Sequence, residues 1–281
     1  MTLNCLGNLI DLSTPRVMGI LNIAPDSFHD GGRYSQERKW LAQAGKMLED
    51  GATFIDVGGY SSRPDATHIS TEEELKRVLP VVQSLITHFP GVIISIDSFR
   101  SEVARVVLDM GVAIVNDISG GHADAKMLAL AKEYQVPLIL MHMKGTPQTM
   151  RKMTEYDNLL EEVLLYFSER LAKAHALGIN DIVIDPGFGF AKTTEQNFEL
   201  LDQLGLFQTL EAPVLVGVSR KSMIYKTLGE SPKEALNGTS ALHMSALERG
   251  ANILRAHDVK EAMDCITLHE KLKKGAKHNL A

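Results

Sequence analysis

Val92-Ile93-Ile94-Ser95-Ile96-Asp97 is the stretch that decides how this chain folds. Its near-continuous hydrophobicity suits a parallel strand covered on both faces better than the alternation of an antiparallel sheet. The run ends in a carboxylate, and a helix-length amphipathic stretch follows. The same pattern recurs on either side, at Val17 to Asn22, Thr53 to Gly58, Ala113 to Asn116, Leu138 to His142, Ile182 to Asp185, Val214 to Gly217 and Ile253 to Ala256. Helices are expected between them, among others at Gln36 to Asp50, Glu72 to Phe89, Asp157 to Leu177 and Glu234 to Arg249. Gly51, Gly111, Gly178 and Gly250 fall where helix ends often need a left-handed residue. Eight βα units close naturally into a barrel of ~250 residues. In a chain of 281 residues this leaves a short N-terminal segment, expected to form a hairpin across the barrel bottom. The expected fold is therefore α/β, a single (β/α)8 barrel with a short N-terminal extension. It forms one domain over residues 1–281, with its core at about 16–274. A doubly wound open sheet is the alternative. It usually has fewer strands and a Gly-rich fingerprint after the first, where this chain has Asn22-Ile23-Ala24-Pro25-Asp26.

Composition narrows the function classes. A net charge of -6, with Lys and Arg spread along the sequence, gives no basic stripe for a phosphate backbone, so nucleic acid is not an expected partner. Met1 to Asp11 has no cationic segment leading into a long apolar run, and nowhere do about 18 apolar residues stand together. No membrane association is expected, and a cytoplasmic protein is. Cys5 and Cys265 are far apart, without a Cys-x-x-Cys pair, which indicates neither a disulfide framework nor a thiolate metal site.

The polar residues carry the functional signal by position. Asn22, Asp56, Asp97, Asn116 with Asp117, His142, Asp185, Ser219 to Lys221, and Arg255 with His257 lie at or just beyond strand ends. Barrel enzymes assemble their active sites on that rim. Singly, each could be a turn residue or helix cap; Asp97 could cap the helix entered near Ser101, and Asp185, before Pro186 and Gly187, could make a tight turn. As a set they converge on one cleft. Asp97 and Asp185 suit a flat nitrogen heterocycle, since a buried carboxylate accepts paired hydrogen bonds from a ring N–H and an exocyclic amine, and Asn116 can donate and accept at the same edge. Arg63, Lys221, Arg255 and His257 put positive charge on the rim, which suits a diphosphate or carboxylate. His142, between Met141 and Met143, reads better as a satisfied core histidine, and Glu72-Glu73-Glu74 as a helix first turn capped by Ser70 or Thr71.

Gly19-Ile20-Leu21-Asn22-Ile23-Ala24-Pro25-Asp26-Ser27-Phe28 with Asp30-Gly31-Gly32, Asp56-Val57-Gly58-Gly59, Ser61-Ser62-Arg63-Pro64, Ser95-Ile96-Asp97-Ser98, Asn116-Asp117-Ile118, Met141-His142-Met143, Asp185-Pro186-Gly187-Phe188-Gly189-Phe190, Ser219-Arg220-Lys221-Ser222 and Arg255-Ala256-His257-Asp258-Val259 follow one another in the chain. Together they resemble the dihydropteroate synthases, a family of pterin-binding TIM barrels. The resemblance implies that Asp97, Asn116, Asp185 and Lys221, with Arg255, hold the pterin. It implies that Asn22, Ser62, Arg63, Arg255 and His257 serve the diphosphate, with Asn22 also a ligand of Mg²⁺. Phe28, Pro64, Phe190 and Ser222 would form the pocket for 4-aminobenzoate. It further implies a homodimer, two small-molecule substrates (the dihydropterin diphosphate and 4-aminobenzoate), and departure of diphosphate before the amine attacks. No side-chain nucleophile is then needed, in agreement with the absence of a Ser-His-Asp or Cys-His constellation.

The chain departs from the commoner family pattern at Ala24, Tyr60, Ser62, Ser98, Ala191 and Ala256; Tyr60, where Glu is frequent, changes the second loop most. The loops after strands one and two carry Gly31-Gly32 and Gly58-Gly59. They are expected to be mobile without ligand and to order together over the diphosphate, bringing Phe28 to Pro64. A pterin-dependent methyltransferase barrel is the enzymatic rival; it would have no use for Ser62-Arg63-Pro64 and Arg255-x-His257. A non-catalytic folate-binding barrel is the rival from another class, and the intact charged motifs speak against it.

Overall fold

The computed structural model describes residues 1–23, 32–63 and 67–278; Phe28 and Pro64 lie outside the described residues. An antiparallel hairpin of β1 (Thr2–Cys5) and β2 (Asn8–Asp11) comes first. Eight parallel strands follow: β3 (Arg16–Asn22), β4 (Phe54–Gly58), β5 (Ile94–Asp97), β6 (Ile114–Asp117), β7 (Leu138–Met141), β8 (Ile182–Asp185), β9 (Leu215–Val216) and β10 (Ile253–Ala256). They pair in the order β8-β7-β6-β5-β4-β3-β10-β9. A parallel bridge between Ile184 and Val214, with Ile184 N–H donating to Pro213 O at 2.9 Å, brings the two outer strands together. The sheet thus curls into a nearly closed barrel, and the open doubly wound sheet does not occur.

Nine helices surround it among the described residues: α1 (Gly32–Glu49), α2 (Thr71–His88), α3 (Ser101–Asp109), α4 (Met127–Tyr134), α5 (Leu159–Ala176), α6 (Thr194–Asp202), α7 (Ser222–Leu228), α8 (Leu236–Glu248) and α9 (Val259–His278). Local chemistry sets their ends. Ser70 accepts from Glu73 N–H at 3.2 Å at the start of α2, as its sequence suggests. Thr193 and Gln196 make a reciprocal capping box on α6. Boundaries move by a few residues from the sequence reading. The start of α1 moves most, from Gln36 to Gly32, and β9 is shortened at both ends, where Val214 supplies only the closing bridge and Gly217 already belongs to the loop.

Period-two alternation sorts the strand residues into two cores. Val17, Leu21, Ile55, Val57, Ile96, Val115, Leu140 and Ile184 pack outward against helix residues such as Val78, Val107 and Phe167. Met18, Phe54, Ile114, Ile139, Val183, Leu215 and Ile253 point inward, where Leu3, Cys5 and Leu12 of the N-terminal segment join them. Asn4 N–H donates to Asp181 Oδ1 at 3.0 Å and ties the hairpin to the bottom of β8. The barrel floor is therefore stoppered by apolar side chains, as the expected bottom hairpin requires. One step up each strand on the same inner face the chemistry changes. Asp56 follows Phe54, Asn116 follows Ile114, Asp185 follows Val183 and Arg255 follows Ile253.

Candidate active site

Asp56, fully buried in the middle of β4, is the hub of this polar layer. Its Oδ2 accepts from Arg255 Nε at 2.7 Å and from Asn116 Nδ2 at 3.0 Å. Arg255 also donates through Nη2 to Asp97 Oδ2 at 2.8 Å. One guanidinium thus links β10 to β4 and β5, two carboxylates held by one planar fork. Burial pushes the Asp97 carboxyl up to about 7, against the opposing pull of Arg255. Asp97 does not cap α3: the cap position is Arg100, and Ser101 N–H donates to Asp124 Oδ2 at 2.8 Å instead.

Asp185 and Lys221 form the second half. Asp185 Oδ1 accepts from Gly187 N–H at 2.8 Å, the tight-turn bond its sequence context suggests, and burial raises its pKa against the charge of Lys221. The Lys221 amine is brought down to about 8 by burial, with Asp185 opposing. It donates to Phe188 O and stands 4.8 Å from the centre of the Phe190 ring. Gly187 has a φ of +70°, and a Cβ there would lie 2.1 Å from His142 O, so only glycine lets this loop close onto the end of β7.

At the rim above β10, His257 Nδ1 lies 3.0 Å from Ser219 Oγ, and its backbone N–H donates to the same oxygen at 3.1 Å. Burial and the nearby Arg255 charge bring this imidazole down to about 4. Both effects hold His257 toward its neutral form. Arg220 turns away from the cleft and clamps Asp258 through two bonds of 2.8 Å. Ser222 opens α7. A Cβ placed on Gly58 would stand 3.4 Å from Asn22 Oδ1 and 3.5 Å from Asp97 Oδ2, so the absence of a side chain at Gly58 leaves room between these two groups. Ser62 is half-buried, whereas Arg63 is exposed and has no ion pair among the described residues.

Three features differ from the sequence reading. Asp117 faces away from Asn116 and serves its own loop, accepting from Ser119 N–H, Ser119 Oγ and Gly121 N–H. The acidic run is the first turn of α2, as expected, but Glu74 within it is fully buried and paired with Arg100. Lys192, which nothing in the sequence reading singled out, is buried with its amine on His142 Nδ1 at 3.0 Å, Phe190 O at 3.1 Å and Gly187 O at 3.2 Å. Burial brings Lys192 down to about 7, and burial with the Lys192 charge brings His142 down to about 2. His142 is accordingly a satisfied, neutral core histidine. A lysine directly after an apolar glycine-rich loop was the available signal for Lys192.

A barrel whose inner rim offers two carboxylates, an amide and two cations to one flat polar ligand defines a pterin-binding enzyme, and the model of the family described as "Pterin binding enzyme" matches residues 18–257. The dihydropteroate synthase of Escherichia coli strain K12 is 43% identical over 272 residues, 96% of each chain. Among solved structures, dihydropteroate synthase of Yersinia pestis in a sulfonamide drug complex superposes with a TM-score of 0.90 at 39% identity, covering 98% of this chain and 100% of that one. The Xanthomonas albilineans dihydropteroate synthase with 4-aminobenzoic acid gives 0.89 at 38%, covering 97% and 98%. The chain belongs to the dihydropteroate synthase family.

Proposed function

We propose that the inner rim is the transfer site of a dihydropteroate synthase. The enzyme is a transferase of folate biosynthesis: it moves the 7,8-dihydropterin-6-ylmethyl group from its diphosphate ester to the amine of 4-aminobenzoate, releasing diphosphate and 7,8-dihydropteroate. The observation that carries the assignment of the site is the buried layer of Asp56, Asp97, Asn116 and Arg255 facing Asp185 and Lys221. In this reading Asp97, Asn116, Asp185 and Lys221, with Arg255, hold the pterin. Its N–H edge donates to the carboxylates, whose burial raises the gain from each bond formed. Arg255 and His257, with Ser62, Arg63 and Asn22, receive the diphosphate. Phe190 and Ser222 line the 4-aminobenzoate pocket, whose remaining members Phe28 and Pro64 lie outside the described residues. The aniline nitrogen is uncharged at neutral pH, so the site supplies position and charge and no strong base.

The residues fit magnesium. Mg²⁺ takes oxygen ligands, keeps several waters and is commonly held by one or two protein groups together with substrate phosphates. Asn22 offers a rim-exposed amide oxygen beside Asp97, and no group of three His, Cys, Asp or Glu converges among the described residues, so the other ligands would be diphosphate and water. When bound there, the ion would offset the charge that builds up on the departing diphosphate. Turnover is expected to require Mg²⁺, and Asn22→Ala to raise the concentration needed; full activity in excess chelator would refute this. The family likeness also supports a cytoplasmic homodimer open to sulfonamide inhibition, readable by sedimentation and by inhibition kinetics. The decisive assay is diphosphate release with each substrate omitted in turn. Sustained release is expected only with both present, and multiple-turnover release without 4-aminobenzoate would overturn the transfer reading.

A further inference from the structure

We infer that Lys192 is a positioning residue that sets the geometry of both substrate pockets at once, by clamping the loop that carries Asp185 and Phe190 onto the end of β7. Its amine has three protein acceptors, and each belongs to a different part of that junction. His142 Nδ1 stands just past β7, Gly187 O follows Asp185 by two residues, and Phe190 O is the backbone of the ring against Lys221. The clamp is reinforced where it closes: His142 N–H donates to Asp185 O at 2.9 Å, Gly187 packs on His142 O, and Tyr156 OH donates to Ala191 O at 2.9 Å.

In its protonated form the amine has three donors for three acceptors, and burial makes that match matter, because an acceptor left unpaired there costs more than one facing water. Toward the protonated amine Nδ1 of His142 accepts, which goes with a neutral ring protonated on Nε2. None of the three bonds goes to a side chain of the inner polar layer; Lys192 acts through the backbone on either side of Phe188 and through the placement of Asp185. Loosening the loop therefore shifts the pterin carboxylate and the aminobenzoate ring together. Asn197, whose Oδ1 accepts from Gly189 N–H at 2.6 Å, holds the same loop from α6, so removal of the amine relaxes the loop without releasing it.

This inference rests on the reading of Asp185 as a pterin contact and Phe190 as an aminobenzoate contact. The test is steady-state kinetics on the full chain with Lys192→Met, which keeps the volume and removes the donors, and with Lys192→Arg, which restores donors. Leu3→Ala on the barrel floor serves as a variant destabilised far from the cleft. Lys192→Met is expected to raise KM for both the dihydropterin diphosphate and 4-aminobenzoate by on the order of tenfold, as loss of one to two buried hydrogen bonds implies. Lys192→Arg should recover part of that loss, and Leu3→Ala should leave both KM values at the wild-type level. KM values for Lys192→Met equal to wild type, or a change in kcat alone, would overturn the inference. If Lys192→Met does not fold, Lys192→Gln, whose shorter amide cannot reach all three acceptors, carries the test, and wild-type KM values for both substrates would overturn it equally. Failure of the underlying reading looks different: wild-type enzyme would then turn over normally while Asp185→Asn left the pterin KM unchanged.

Discussion

Asp97 shows how a single side chain can be read from either end of the problem. Its place at the close of an apolar run marks it, and the fold confirms that it faces inward beside Arg255. Asp97→Asn keeps the shape and removes the charge, while Arg255 retains Asp56 as partner. Pterin affinity is expected to fall by about 1.5–3 kcal/mol, the range for hydrogen bonds to a charged group; calorimetry with a pterin showing unchanged affinity would remove Asp97 from the site. The strand-end rule reaches Asp97, Asn116, Asp185 and Arg255 because alternation along one strand fixes which way each points. It cannot show that Asp56 is the hub, since Asp56 and Arg255 are 199 residues apart and meet only because β10 pairs with β3 and β3 with β4. Lys192 is hidden in part for a similar reason, one of its three acceptors, His142, being supplied by the neighbouring strand end. Ala191, where glycine is frequent in the family, has a φ of +50°, so the backbone demand is kept while the residue has changed.

Elements are legible where their pattern is strong. All eight strand candidates form strands, because covered parallel strands need a near-continuous apolar run. The short β9 reads too long in the sequence, since apolar Val214 looks like a strand residue and nothing in the pattern shows that only one bridge reaches β8. The β1–β2 hairpin is expected on length grounds alone, and its packing gives that expectation content. Leu3 is 1% exposed inside the lower core, so Leu3→Ala should cost about 2–5 kcal/mol for the lost methyls and the cavity. Denaturant unfolding should show that loss with KM values unchanged; a shift in KM would mean that floor and rim are coupled.

At the scale of the whole molecule, the buried histidines make folding respond to pH. His243 in α8 is 1% exposed, and burial brings it down to about 4 from an ordinary 6.5. Its unfolded form therefore takes up a proton below about pH 6.5 while the folded form does not, and stability is lost as pH falls from there toward 4. The slope for one such group is at most about 1.4 kcal/mol per pH unit. His243→Gln should remove this slope, gaining on the wild type as pH drops through that window; parallel stability curves would show that His243 titrates normally. A raised carboxyl such as Asp97 acts in the opposite sense throughout that range, which is why the difference between the two proteins is the quantity to measure. The stoppered floor has a kinetic consequence as well. With the lower end filled by Leu3, Met18 and Phe54, the barrel is a cul-de-sac, and everything that goes in must come out by the same doorway. On the proposed assignment the pterin occupies the blind end and the aminobenzoate the threshold. Traffic is then first in, last out: an aminobenzoate that arrives early blocks the way, and the joined product must back out tail first before the next pterin can pass.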